Sequence, residues 1–385
     1  MNKEIITICI LSAILLPGPV FAAQSPLALT AKSAIVIEAS TGEILYENNA
    51  EERRYPASTT KIMTIITALE AGNINDIVTV GPNAVNTEGS SMGLLVAERM
   101  KMQDLLYGVA LVSGNDAAVA VAEHISGSVA GFAGLMTEKA RKIGASRTNF
   151  ANSSGLPDPN HYSTAYDLAR IAAYGYKNPK FAEIVGTLLK DIPRKNNQNI
   201  TYYNENRLLQ IYSGANGVKT GYTDDAGRCL VAAAKRGNIQ LIAVVLDADY
   251  MFTDSMHLLD YGFNQLQEIE MARAGDLVDT VQVSDGIADA AHAVARDSLF
   301  VPVAYSNRGA FRTVVEIAKT ISAPVSAGQK VGVVKVLFHD KEVASTDVIL
   351  TESVKRKSLF ESIKDFFAKI FTDFGESISL VLQKV

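Results

Sequence analysis

The chain has 385 residues, of which 48% are hydrophobic and 20% charged, and its 36 Lys and Arg against 41 Asp and Glu give a formal net charge of −5. Such a length accommodates two domains with packed cores. A mild charge without a basic stripe or an acidic tail argues against a nucleic-acid partner.

In chain order, Lys3 precedes the apolar run IITICILSAILLPGPV, and Val20 and Ala22 place small residues ahead of a cleavage point after Ala22. The pattern reads as a secretory signal over residues 1–22 rather than a retained anchor, because a proline and small residues end the run. The expected location is across the cytoplasmic membrane. Cleavage removes Cys9 and leaves Cys229 alone, so no intrachain disulfide is expected. Cys229, within RCLVAAAK, reads as a small buried hydrophobe on a strand.

Residues 23–265 read as one α+β domain. SAIVIEASTGEILYEN has the form of a hairpin around the turn signal STG. Helical character follows from about Ser58 to Tyr176: TTKIMTIITALEAG is amphipathic and closes on Gly72. Next, MQDLLYGVALVSGNDAAVAVAEHISG holds two helices broken at SGN, and TAYDLARIAAYGY is another helix. Strand patterns return in GVKTGYT, RCLVAAAKR and, beyond the turn Gly237–Asn238, IQLIAVVLDA; MHLLDYGFNQL closes the domain as a helix. Short turns between the strands predict a mostly antiparallel sheet.

Residues 266–355 consist of short β-rich runs separated by Gly, Asn and Asp, which describes a small all-β domain. Residues 356–385 form an amphipathic pattern. Leu359, Ile363, Phe366, Phe367, Ile370, Phe374, Ile378, Leu382 and Val385 recur at helical spacing behind the basic approach KRK. Charges interrupt the run too often for it to span a bilayer. A helix lying in a membrane surface through residues 358–385 is the expectation, with packing on the protein itself or a coiled-coil seam as the alternative.

Three short stretches carry possible chemistry. In YPASTTKIMT, Ser58 and Lys61 lie three apart where a helix begins, so they share a face. A serine hydroxyl needs an adjacent base, and a lysine serves when burial or a nearby cation lowers its pKa. A plain helix N-cap is the competing reading of Ser58. In LVSGNDAA, Ser113 and Asn115 fall at an inter-helix break where a hydroxyl could relay a proton and a carboxamide bind an amide, or where an ordinary turn sits. In GVKTGYT, Lys219 and Thr220 offer a carboxylate site on a strand, and Gly221 leaves room for close backbone approach. A strand with a solvated lysine is the alternative there.

The order S-x-x-K, S-x-N, K-T-G on helix start, inter-helix loop and strand resembles the penicillin-recognising serine enzymes. The nearest likeness is to the low-molecular-mass penicillin-binding proteins of D-alanyl-D-alanine carboxypeptidase type (peptidase family S11). NFANSSGLPDPNHYSTAYDLA, NRLL, GVKTGYTDDAGRCLVAAAKR and LLDYGF add to it over about residues 30 to 265. The resemblance implies that Ser58 attacks the carbonyl between the last two D-alanines of a peptidoglycan stem peptide, with Lys61 accepting its proton. It further implies that Ser113 passes a proton to the leaving D-alanine and that Asn115 holds Lys61 and the substrate amide. Lys219 and Thr220 would bind the terminal carboxylate, and the backbone N–H groups of Ser58 and Tyr222 the oxyanion. β-Lactams would acylate Ser58. No cofactor or metal is implied, and five scattered His residues show no ligand spacing.

One feature departs from the family: no arginine lies between Arg236 and Arg273, where members often carry one for the substrate carboxylate. His161 reads as a loop-packing residue rather than a catalytic one. Three rivals stay open. A β-lactamase would need a water-activating glutamate, and Glu123, Glu138, Glu183 and Glu205 stand in no recognisable setting. The others are an idle wall-binding scaffold and a strict transpeptidase.

Overall fold

The computed structural model describes residues 27–194, 198–305, 307–361 and 363. The expected signal at 1–22 and most of the expected amphipathic helix, residue 362 and residues 364–385, lie outside the described residues. Two compact units divide between Gln267 and Glu268.

The first unit is built on a five-stranded sheet ordered β2-β1-β9-β8-β7. Its strands are β1 (Ser33–Glu38), β2 (Ile44–Asn48), β7 (Ala215–Thr223), β8 (Gly227–Arg236) and β9 (Ile239–Leu246). Every pairing in it is antiparallel, as the short connections require. All six residues of β1 are buried, which is why its centre, Ala34 to Ile37, is continuously apolar rather than alternating. Ile35, Ile37, Val231, Ile242 and Val244 face the main core with the helices. On the opposite face, Gly262 lets helix α9 (Met251–Gln265) settle against Val36 and Leu241, where an added Cβ would lie 3.2 and 2.8 Å from their side chains.

Between β2 and β7 the chain forms α1 (Lys61–Ala71), β3 (Ile77–Thr79), α2 (Pro82–Val85), β4 (Arg99–Lys101), α3 (Met102–Leu111), α4 (Asn115–Ser126), α5 (Val129–Ile143), α6 (Ala165–Gly175), α7 (Pro179–Gly186), β5 (Leu189–Arg194), β6 (Gln198–Tyr203) and α8 (Leu208–Ile211). Their ends follow local chemistry. Ser128 caps α5 through its hydroxyl, Thr164 caps α6, and Asn178 with Pro179 starts α7. Gly127 and Gly144 stop α4 and α5 in the left-handed region.

Helix α1 departs from its amphipathic reading. Every residue from Lys61 to Ala68 is buried, because α3, α4, α5 and α6 surround it. Its polar positions are matched inside the protein instead: Thr64 Oγ1 donates to the Ser153 carbonyl at 2.6 Å, and Thr60 Oγ1 meets His161 Nε2 at 2.7 Å. The β5–β6 hairpin is pinned to the 92–98 loop by a buried pair. Arg194 Nε and Nη2 donate to Glu98 Oε1 and Oε2, each at 2.8 Å.

The second unit holds a six-stranded sheet ordered β14-β16-β17-β12-β11-β15 and a two-stranded sheet β10-β13. The strands are β10 (Leu266–Ala272), β11 (Leu277–Ser284), β12 (Ala290–Ala295), β13 (Leu299–Ala304), β14 (Phe311–Ile317), β15 (Thr320–Ser322), β16 (Lys330–Phe338) and β17 (Lys341–Leu350). Within the larger sheet only β11 and β15 run parallel. β16 and β17 join through His339 and Asp340 at φ 46 and φ 64, the two-residue turn whose twist matches its strands. Val281, Val283, Val303, Val334, Val336, Val348 and Leu350 form a core separate from that of the first unit.

Truncating Arg194 leaves the Glu98 carboxylate, 3% exposed, without its guanidinium. Arg194→Ala is expected to cost about 3–5 kcal/mol in urea unfolding of the first unit. The double change Arg194→Met/Glu98→Leu should recover much of that loss.

Candidate active site

Ser58 sits in a 3₁₀ turn, Ala57–Thr60, immediately before α1. The N-cap of α1 is Thr60, which makes no side-chain cap bond, so the capping reading of Ser58 does not hold. Ala57 stands at φ 47, a left-handed conformation that costs an alanine strain, and it turns the chain sharply ahead of Ser58. Gly155 packs against that turn so closely that a Cβ there would fall 1.9 Å from the Ala57 carbonyl oxygen. Ser58 remains half-buried while its neighbours Ala57, Thr59 and Thr60 are buried.

Lys61 Nζ lies 2.9 Å from Ser58 Oγ, 2.6 Å from Asn115 Oδ1 and 2.6 Å from the Ser154 carbonyl oxygen. The lysine is fully buried. Desolvation first, and the Lys219 ammonium second, hold its pKa well below the ordinary lysine range, against weaker opposition from Glu205 and Asp116. A neutral amine has two hydrogens and one lone pair. Asn115 Oδ1 and the Ser154 carbonyl can only accept, so they take both hydrogens and leave the lone pair for the Ser58 hydroxyl.

Both acceptors are themselves oriented. Asn115 Nδ2 donates to the Glu88 carbonyl at 2.7 Å, which fixes Oδ1 toward Lys61. Asn152 Oδ1 accepts from the Ser154 and Gly155 N–H groups at 3.1 and 2.7 Å, which aims the Ser154 carbonyl. Asp116, 1% exposed, takes the Met92 and Leu94 N–H groups and the Ser91 hydroxyl, tying the 91–94 loop to the start of α4. Ser113 stands between α3 and α4 at φ 57, and its buried Oγ makes no hydrogen bond within the described protein. That orphan hydroxyl is free to bond a reacting group.

Strand β7 forms the edge of the five-stranded sheet and packs beside the Ser58 turn. A Cβ on Gly221 would lie 2.9 Å from the Ser58 nitrogen and 3.1 Å from the Thr59 nitrogen, so glycine is what permits this approach. Lys219 is 2% exposed; its Nζ donates to the Thr220 carbonyl at 3.1 Å and to Thr220 Oγ1 at 3.4 Å. Burial lowers its pKa to about 8, opposed by Glu205, whose Oε2 is 3.9 Å away. The Tyr222 side chain points to solvent and donates to Asp224.

The structure thus brings Ser58, Lys61 and Asn115 into direct contact, sets Gly221 against Ser58, and couples Lys219 to Lys61. His161 lies behind the turn. Its Nδ1 accepts from Ala151 N–H at 3.2 Å, so its proton is on Nε2 and is donated to Thr60 Oγ1. Burial, against the opposing Asp158 carboxylate, pushes its pKa down to about 4, which keeps the ring neutral and supporting. Sequence reasoning missed Asn152, Ser154 and Asp116, and it gave Glu205 no setting. Only the adjacency of Asp116 to SGN and of Asn152 to SG offered any signal.

Gly221→Ala is expected to push the Ser58 turn away from β7 and to cost about 1–3 kcal/mol of the first unit's stability, the scale of an overpacked contact, read as a lower urea midpoint.

The D-alanyl-D-alanine carboxypeptidase family (peptidase family S11) matches residues 20–250, and the C-terminal domain of penicillin-binding protein 5 matches residues 266–356. D-alanyl-D-alanine carboxypeptidase DacF of Bacillus subtilis is 36% identical over 350 residues, covering 88% of this chain and 90% of the relative. The crystal structure of penicillin-binding protein 5 from Haemophilus influenzae superposes with a TM-score of 0.61 at 32% identity, covering 86% of this chain and all of that one. A mutant of the Streptomyces K15 DD-transpeptidase superposes with a TM-score of 0.59 at 33% identity, covering 62% of this chain and 100% of its own. With its motifs assembled in one cleft and its matches running through both units, the chain belongs to the serine D-alanyl-D-alanine carboxypeptidases of peptidase family S11.

Proposed function

We propose that Ser58 is the nucleophile that removes the terminal D-alanine from peptidoglycan stem peptides, and that β-lactams trap it covalently. The observation that carries this reading is the 2.9 Å contact between Ser58 Oγ and a buried amine whose two hydrogens are already engaged.

The Ser58 hydroxyl gives its proton to Lys61 as Oγ bonds the carbonyl carbon between the two D-alanines. Negative charge gathers on the carbonyl oxygen, where the N–H groups of Ser58 and Tyr222 stabilise it. Ser113 Oγ, without another partner, takes the proton from Lys61 as it hands its own to the departing amine and the C–N bond breaks, which returns Lys61 to the neutral amine. Lys219 and Thr220 hold the substrate's terminal carboxylate by charge-assisted bonds, and Asn115 holds Lys61 with the substrate amide. The free edge of β7 suits an extended peptide laid alongside it. Water then adds to the ester, and Ser58 leaves with its proton restored.

Hydrolysis rather than transfer to an amine is supported by the family's activity, although a transpeptidase shares the fold. Export and attachment to the outer face of the cytoplasmic membrane are supported by the pattern at 1–22 and the apolar spacing after Ser358.

Incubation of a pentapeptide ending in D-Ala-D-Ala should release one D-alanine by mass analysis, and Ser58→Ala should release none. Lys61→Ala should retain the fold and lose about 10²–10⁴ in acylation rate.

The two lysines also fix the pH dependence of kcat/KM. Lys61 must be deprotonated, so activity rises as pH passes its lowered pKa; Lys219 must be protonated, so activity falls as pH passes about 8. A bell with that alkaline limb, moved by Lys219→Arg, is the expected profile.

A further inference from the structure

Glu205 is a charged residue of the cleft to which acyl transfer assigns no task. Its Oε2 lies 3.3 Å from Thr220 Oγ1, which donates to it, and 3.9 Å from Lys219 Nζ. Those are the two groups that would hold a terminal carboxylate. Among the described residues Glu205 is the only charged partner of Lys219 within salt-bridge distance. Its backbone is firmly placed: Glu205 N–H donates to the Leu111 carbonyl at 3.0 Å, at the end of α3 beside the Ser113 break. Buried asparagines flank it. Asn204 Oδ1 accepts from Asn206 N–H at 2.9 Å, Asn204 Nδ2 donates to the Thr187 carbonyl at 2.9 Å, and Asn206 Oδ1 accepts from Leu208 N–H at 3.2 Å. Asn204 and Asn206 are 7% and 1% exposed, whereas the Glu205 side chain is 47% exposed. A rigid turn therefore presents a carboxylate to the corner where a substrate carboxylate must enter. No arginine lies between Arg236 and Arg273 to outweigh it.

Building on the carboxypeptidase reading, we propose that Glu205 is a specificity residue that occupies the carboxylate-binding corner and lowers the preference for a free C-terminal carboxylate, so that peptides with a neutral, amidated D-alanine end are also accepted. A like charge a few ångströms from the entering carboxylate weakens its binding, while a carboxamide is indifferent to that charge and can donate to it. The same carboxylate supports the positive charge on Lys219 and opposes the lowering of Lys61 by burial and by Lys219, with Asp116 acting alongside it on Lys61. Removing its charge thus lowers both lysines and moves both limbs of the activity profile toward acid.

The test uses the full chain and two substrates, diacetyl-L-Lys-D-Ala-D-Ala and its C-terminal carboxamide, with wild type, Glu205→Gln and Glu205→Asp. The ratio of kcat/KM for acid over amide is expected to rise about tenfold in Glu205→Gln and stay near wild type in Glu205→Asp. The optimum of Glu205→Gln should shift to lower pH. Its kcat/KM for the acid should fall with added salt while the wild-type value stays flat, because the site then carries a net positive charge. An unchanged acid-to-amide ratio, or an equal loss on both substrates as a merely structural residue would give, overturns the proposal. If wild type releases no D-alanine from the acid, the carboxypeptidase reading falls and takes the proposal with it.

Discussion

The active site depends on keeping one amine dry. Lys61 opens the fully buried stretch Lys61–Ala68 of α1, and burying an ammonium without a carboxylate partner costs several kcal/mol, so the neutral form is favoured. Its close contacts are two acceptor oxygens and one hydroxyl, with no acidic oxygen among them. An acid in place of Asn115 would restore the charge and remove the base. The carboxamide supplies an acceptor without that effect, which explains why an amide rather than a carboxylate faces the lysine here.

Geometry around that amine is held by strain that the packing offsets. Ala57 and Ser113 both take left-handed backbone conformations, and both lie beside reacting groups rather than in surface turns. Gly155 and Gly221 press on the Ser58 turn from two directions with no room for a methyl group. Their contacts leave the turn little freedom to relax. The large helical core behind α1 supplies the stability that such a site consumes.

Sequence patterning carried much of this architecture. Alternation and turn signals located β1, β2, β8 and β9, and the SGN break separated α3 from α4 with Asn115 opening the second helix. The amphipathic reading of α1 failed because its threonines find buried partners, so polarity along the sequence did not mean exposure. The β5–β6 hairpin went unread for a related reason. Its fixing force, the Arg194–Glu98 pair, joins segments far apart in sequence. In the second unit the sequence showed a β-rich texture but not the sheet order, since short strands such as β15 complete sheets whose other strands supply the register. At the site, motif residues were legible because their side chains do the chemistry. The groups that aim them were not, because Ser154 contributes a carbonyl and Asn152 and Asp116 act on backbone N–H groups. A backbone contact of that kind leaves little trace in residue identity.

Two lysines in one cleft illustrate how environment assigns roles. Both are buried, and burial alone would lower both. Lys219 differs in having a carboxylate within 3.9 Å, whereas the charge Lys61 feels most is that of Lys219 itself. Lys219 therefore acts on Lys61: the more firmly Lys219 stays an ammonium, the more Lys61 prefers to be an amine. Cation and amine are thus assigned by environment rather than by residue type. In the proposed mechanism this also links substrate recognition to nucleophile activation: a carboxylate arriving at Lys219 would offset part of the positive charge that, after burial, lowers Lys61, so binding would strengthen the base as the proton moves.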